Sequence, residues 1–178
     1  MPNPIVVQVD DQTGAAMSGV VVTFTPTGGS AVGITSVTTD ANGQAQVVWT
    51  LGTTAGTDSV TVTTGSVAPA VAIATVTPDA PASIIPVSGD EQSGPAGSAL
   101  SSPLVVKVVD QYGNGVPGVL VAWSTPSGSL GAASTTSDAN GLAQDTITLS
   151  GSAGEVDVSA QVATATGPVT IIFVESAM

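Results

Sequence analysis

The 178-residue chain has no cysteine, no histidine and a single basic side chain, Lys107. Each absence removes a class of function. Without cysteine there is no disulfide staple and no thiolate nucleophile, and cysteine usage says nothing about the redox compartment. Without histidine or arginine a Ser-His-Asp triad and an arginine clamp are excluded, and a zinc site lacks its usual ligands. The net charge of −12 arises from 13 acids set against one lysine, so the acidity reflects missing bases rather than an acidic excess. Such a surface repels phosphate, because affinity for nucleic acid and anionic lipid depends on lysine and arginine. Nucleic acid is therefore not an expected partner. No run of 18 apolar residues occurs, so no membrane insertion is expected. The N-terminal Met-Pro-Asn-Pro-Ile-Val carries neither a positive n-region nor an apolar h-region, and no signal peptide is visible.

What is present is β-forming and repetitive. Val, Thr, Ala, Gly and Ser dominate, 21 Gly and 12 Pro punctuate the chain, and period-2 alternation recurs without a sustained 3.6 period. The stretch Pro4 to Phe24 returns as Pro103 to Trp123, with Asp11 over Asp110, Gly14 over Gly113 and Gly19 over Gly118. A second marker, Thr38-Thr-Asp-Ala-Asn-Gly-Gln-Ala-Gln46, returns as Thr136-Ser-Asp-Ala-Asn-Gly-Leu-Ala-Gln144. Self-similarity at a fixed period is the signature of tandem units, and about 90 residues suffice for one domain. Asp11-Gln-Thr-Gly14 suits a type I turn whose Asp accepts from backbone amides, and Asp-Ala-Asn-Gly suits a hairpin turn closed by a left-handed glycine.

In chain order the alternation predicts strands at 5–10 and at Val20, Val22 and Phe24. A further strand buries Ala45, Val47, Trp49 and Leu51, and two more run from Thr57 to Thr63 and from Val71 to Thr77. Thr77-Pro-Asp-Ala-Pro81 reads as a linker. The second copy opens with a segment that the first does not have, Ala82 to Ser102. In it Ser83-Ile-Ile-Pro-Val87 reads as an edge strand, because proline removes a ladder donor. Strands then follow at 104–109, 119–124, near 132–136, 143–149, 156–162 and 169–174. The expected architecture is all-β: two tandem immunoglobulin-like β-sandwiches, the first lacking its N-terminal edge strand. The boundaries are 1–77 for the incomplete first domain, 78–81 for the linker and 82–178 for the complete second domain. Trp123 is placed to fill the centre between two sheets. Asp145 breaks the pattern, since it takes the register of Val47 on the core face; a bulge or strand end that turns it outward is the expected resolution.

Val-Val-Asp-Gln-Tyr-Gly-Asn-Gly-Val-Pro-Gly-Val, followed by Thr-Thr-Ser-Asp-Ala-Asn-Gly-Leu-Ala, resembles the group 1 bacterial Ig-like domains. These are the repeats of intimin- and invasin-type surface adhesins, also found in phage virion proteins. The resemblance covers nearly the whole chain, twice, although Ala15-Ala-Met-Ser18 lacks the family's Asn and Pro. It implies an Ig-like sandwich, a non-enzymatic role and tandem stacking into a stalk at the bacterial cell surface or outside it. The expected partner is a protein: a host receptor, a neighbouring Ig repeat, or a capsid or filament subunit. A start Met without a signal peptide suits the alternative of a virion surface protein. A third reading is a filament subunit whose first domain takes a strand from a neighbour.

Few residues remain as chemical candidates. No catalytic residue and no cofactor is assigned. Calcium is the one ligand weighed: Asp79, Asp90, Glu91 and Asp110 supply oxygen donors if they converge at the junction between the domains. Glu155 and Asp157 share a strand face but suggest no cleft. Lys107 is weighed as a Ser–Lys dyad member or an isopeptide donor, and reads as an exposed lysine, as Gln8 does in the first copy. Tyr112, at a turn tip, reads as packing between domains or as a contact for a partner.

Overall fold

The computed structural model describes residues 4–65 and 67–178. The first part of the N-terminal stretch in which no leader is visible, residues 1–3, lies outside the described residues, as does Ser66. The chain divides into two compact units, Met1–Thr77 and Pro78–Met178.

The first unit contains β1 (Ile5–Gln8), β2 (Val21–Pro26), β3 (Ala31–Val32), β4 (Ser36–Thr38), β5 (Gln44–Val47), β6 (Trp49–Thr50), β7 (Gly56–Thr63) and β8 (Ala70–Val76). One sheet has the order β4-β2-β7-β8, the other is the pair β1-β5, and β3 pairs with β6. The second unit contains β9 (Ser83–Ser88), β10 (Ser93–Gly94), β11 (Leu104–Val109), β12 (Leu120–Ser124), β13 (Ser129–Leu130), β14 (Ser134–Thr136), β15 (Leu142–Asp145), β16 (Ile147–Thr148), β17 (Gly154–Thr164) and β18 (Gly167–Ala177). Its sheets are β10-β18-β17-β12-β14 and β15-β11-β9, with β13 paired to β16. Removing β9 and β10 from this arrangement leaves the first unit strand for strand. Both units are immunoglobulin-like sandwiches, and among the described residues the first has no strand at the place of β9.

Alternation builds the cores. Val22, Phe24, Ala45, Val47, Val60 and Val62 point inward from both sheets of the first unit. In the second, Trp123 lies between the sheets with its ring centroid 6.3 Å from that of Phe173. Its indole N–H, costly to bury unpaired, donates to Thr135 Oγ1 at 2.8 Å. Phe24 occupies the corresponding place in the first unit and is fully buried.

The repeated turn residues do the same work twice. Asp11 Oδ1 accepts from the amides of Thr13 and Ala15, and Asp110 Oδ1 from those of Tyr112 and Asn114. Asp40 and Asp138 each accept two amides of their own turns. The Thr39 hydroxyl donates to the Met17 carbonyl and accepts from Val20, and Ser137 bridges Val116 and Val119 in the same way. Gly141, at φ +81, lies so close to its neighbours that a Cβ there would stand 2.5 Å from the Val108 carbonyl oxygen. The glycine of the Asp-Ala-Asn-Gly turn is thus required by backbone conformation and by close approach together.

Asp145 and Leu51 depart from the sequence expectations. Asp145 does lie where the strand breaks, between β15 and β16. It does not turn outward: it is 6% exposed and accepts from the amides of Ala132 and Thr146. Backbone donors, rather than exposure, satisfy the charge. Leu51 was expected in the core by alternation, yet it is 41% exposed, whereas Leu149 at the matching position is 2% exposed. The cause is a segment that, among the described residues, only the second unit has.

Candidate interaction surface

That segment, residues 83–100, closes three edges of the second sandwich. β9 pairs antiparallel with β11 from Val109↔Ser83 to Val105↔Ser88, with a register shift beside Pro86. The chain then crosses to the other sheet, where β10 pairs parallel with β18. Finally Ser98 to Leu100 bonds to β16: the Leu100 amide donates to the Ile147 carbonyl and the Leu149 amide to the Ser98 carbonyl. The result is a sealed core in which Leu104, Val106 and Val108 are fully buried and Ile147 is 1% exposed.

Among the described residues, the equivalent edges of the first unit carry no such segment. β1 pairs only with β5, β8 only with β7 and β6 only with β3. Ile5, Val7 and Val9, the counterparts of Leu104, Val106 and Val108, are only half-buried. Trp49, at the place of Ile147, is half-buried too, and its indole nitrogen is buried without a hydrogen-bond partner among the described residues. Among the described residues the outer edge of β1 is therefore unpaired and the core beside it only half-covered.

The crossover in the second unit is held by a buried acid. Glu175 is fully buried on the core face of β18. Its Oε2 accepts from the Gln92 amide at 2.7 Å, and its Oε1 has no partner among the described residues. Asp90 Oδ1 accepts from the Val174 amide at 2.9 Å. Burial pushes the Glu175 carboxyl up; the Gln92 amide opposes this and the charge of nearby Asp90 adds to it.

The calcium candidates do not converge. Asp79 and Asp110 meet at one end of the β9–β11 ladder, where the Asp79 amide donates to Asp110 Oδ2. Asp90 and Glu91 follow the other end of β9. Asp110 is 3% exposed, and its oxygens are occupied by amides and by the Asn114 side chain. Burial alone would raise its carboxyl, but the bonds from Asn114, Asp79 and Tyr112 outweigh that and hold it at about 2. Among the described residues no group of three or more acids is placed to hold a metal ion. Glu155 and Asp157 lie in β17 opposite Ser176 and Val174. Lys107 is half-buried rather than exposed, between Ile85 of β9 and Leu142 of β15. Tyr112 is 55% exposed at its turn tip. A groove of about 440 Å³ in the first unit is lined by Pro4, Gly33, Ile34, Gln46, Val47 and Val48, which include no acid or base.

Residues 85–174 match the sequence model of the bacterial Ig-like domain (group 1), which is half of the chain. The chain belongs to this family. Among solved structures, InvD of Yersinia pseudotuberculosis is similar with a TM-score of 0.63 at 20% identity, over 98% of this chain and 52% of that one. The integrin-binding protein invasin (TM-score 0.44, 24% identity) is matched over 96% of this chain and 35% of its own. The D0-D1 domain of intimin (TM-score 0.42, 22% identity) is matched over 97% and 88%. The chain thus spans about half the length of InvD and about a third of invasin. No match is found among curated proteins.

The residues that sequence reasoning missed are buried acids. Glu175 falls on the face of Val169, Ile171 and Phe173, so alternation signals a core position once β18 is extended to Ala177. Asp58, 1% exposed, precedes Val60 and Val62 on the core face of β7 and accepts from the Gly52 amide at 2.6 Å. In both cases the satisfying amides come from another segment, which the local sequence does not display.

Proposed function

We propose that the chain is a non-enzymatic structural and adhesive module, two consecutive bacterial Ig-like domains that serve as a rigid spacer in a bacterial surface adhesin. The observation that carries this reading is the duplicated frame. Asp11 with Asp110, Asp40 with Asp138, and Thr39 with Ser137 make the same backbone bonds in both units. A unit repeated with its stabilising turns, and without histidine, cysteine or arginine, is suited to setting distance rather than to chemistry. The family match supports a second copy in the first unit through that shared frame, and supports a place at the cell surface. The partner is then a protein, either a neighbouring repeat or a host receptor engaged by another part of the adhesin. The virion alternative gains nothing from the comparisons.

Surface display tests this. The chain is placed between an outer-membrane anchor and a C-terminal epitope, and intact cells are probed with antibody before and after mild protease treatment. The spacer reading expects the epitope to be exposed and retained. Beads coated with the chain alone are expected not to adhere to host cells. Adhesion by the chain itself, or loss of the epitope through cleavage within either unit, overturns the reading.

A further inference from the structure

We propose that the second unit associates side by side with the second unit of another copy of this chain, through two complementary outer faces on opposite sides of its sandwich. The first is the outer face of the sheet β15-β11-β9. Lys107, the only basic residue of the chain, stands on the central strand of that sheet, paired with Ile85 on one side and Leu142 on the other. Ile85 is 43% exposed and Val87 52%, and Val105 and Leu142 are half-buried. A lysine in such surroundings lays its stem along apolar neighbours and keeps its ammonium in water. Among the described residues that ammonium forms no ion pair. Asp138, at the hairpin leading into β15, is engaged with the amides of Asn140 and Leu142.

The second face is the outer side of β17 and β18 in the opposite sheet. Val156 and Val158 are buried, so alternation turns Glu155 and Asp157 outward. Asp157 is paired with Val174, 40% exposed, and Ile172, 57% exposed, lies one step along β18 on the same face. Asp90, whose Oδ1 accepts from the Val174 amide, brings a third acid to this edge. One side of the sandwich thus presents a lysine among exposed aliphatic side chains, and the other presents acids among exposed aliphatic side chains. The internal repeat shows that the two features belong together. The first unit has Gln8 in place of Lys107. Counting from Gly56 and Gly154, which open β7 and β17, it has Thr57 and Ser59 in place of Glu155 and Asp157. One unit carries both kinds of charge on these faces, and the other carries neither.

Charge decides the occupant. Copies that each carry −12 repel one another in most approaches. Two lysine faces, or two acid faces, would add like-charge repulsion at contact, whereas a lysine face on an acid face gains. Because the two faces differ, the contact is heterologous and repeats from copy to copy instead of closing as a two-fold dimer. Three strands spaced about 4.8 Å apart make a face well short of the roughly 800 Å² per partner of a stable dimer. A single contact is therefore weak, and it gains strength where many chains are tethered to one surface. The proposal does not rest on the spacer role, which display and bead adhesion test separately.

The test is sedimentation of the intact 178-residue protein over a wide range of concentration, at about 0.15 M salt, where repulsion is screened beyond roughly 8 Å. The expected result is an average mass that rises with concentration past that of a dimer. Lys107→Gln, which installs the residue that Gln8 already provides in the first unit, should weaken self-association about tenfold or more. The double variant Glu155→Gln/Asp157→Asn should do the same, with the thermal melts of both variants unchanged. If the double variant loses stability, Ile172→Ser on the same face takes its place. An equimolar mixture of the two variants should form a one-to-one complex and grow no further, since one keeps the acid face and the other the lysine face. A monomer at every concentration overturns the proposal, as does undiminished association of either variant or failure of the two to complement each other. A wild-type mass that stops at the dimer also overturns it, because it assigns a closed two-fold contact.

Discussion

Two acids in the second unit answer pH in opposite directions because their surroundings differ. Asp110 is held at about 2, below its ordinary 3.8, so its contribution to stability is present above pH 3.8 and is lost as pH falls through the folded value. Removing it by Asp110→Ala leaves the amides of Asp79, Tyr112 and Asn114 without their acceptor. The cost is about 2 kcal/mol, which lowers the melting midpoint of the second unit by roughly 8–16 °C at neutral pH. Calorimetry should show that gap narrowing as pH is lowered from about 4 to about 2. Glu175 has the reverse sign. Its pKa is raised by burial, so the protonated form folds better, and its contribution is lost as pH rises through the folded value. Glu175→Gln keeps the shape and an acceptor for the Gln92 amide while discarding the buried charge. It should therefore melt above the wild type at pH 7, with the difference shrinking at pH 4 and below. Parallel pH profiles for the two proteins would refute this account of Glu175.

Turns and strands show what kind of information the sequence displays. Gly113 and Gly141 both have φ above +80, but a Cβ at Gly113 meets nothing within 4 Å, whereas one at Gly141 meets the Val108 carbonyl and Gly115. Gly113→Ala should cost about 1 kcal/mol for left-handed backbone alone. Gly141→Ala adds a backbone clash and should cost about 3 kcal/mol, as measured by denaturant midpoints of the two variants. If both variants lose the same stability, the close approach at Gly141 is not what fixes that residue. The Asp-x-x-Gly signals were legible because the turn's bonds lie within five residues, and the duplicated strands were legible because alternation is local. β10, β13 and the break at Thr146 were not, since each is a two-residue pairing or a bulge set by a partner far along the chain. Asp145 misled for the same reason: the Ala132 amide that satisfies it lies thirteen residues away. The segment that, among the described residues, only the second unit has was visible as one strand. That it seals three edges and covers Leu149 emerges only from the pairing.

At the scale of the whole chain, the unequal edges make the two units unequal in stability. Among the described residues sixteen buried apolar side chains form the core of the second unit and six that of the first. At about 1.5–3 kcal/mol for each fully buried Val, Leu, Ile or Phe, partial exposure of Ile5, Val7, Val9, Trp49 and Leu51 outweighs any local difference in turns. The first unit should unfold first. The single lysine provides a way to see this in the intact protein, because trypsin has one site, after Lys107. That residue is bonded into β11 between β9 and β15. Cleavage therefore reports opening of the second unit alone. On heating, calorimetry should show an early transition during which trypsin does not cut, followed by a later one at which cleavage begins. Tryptic cleavage at or before the first transition would mean that the second unit opens first, and that the edge segment of residues 83–100 contributes less to stability than its three ladders imply.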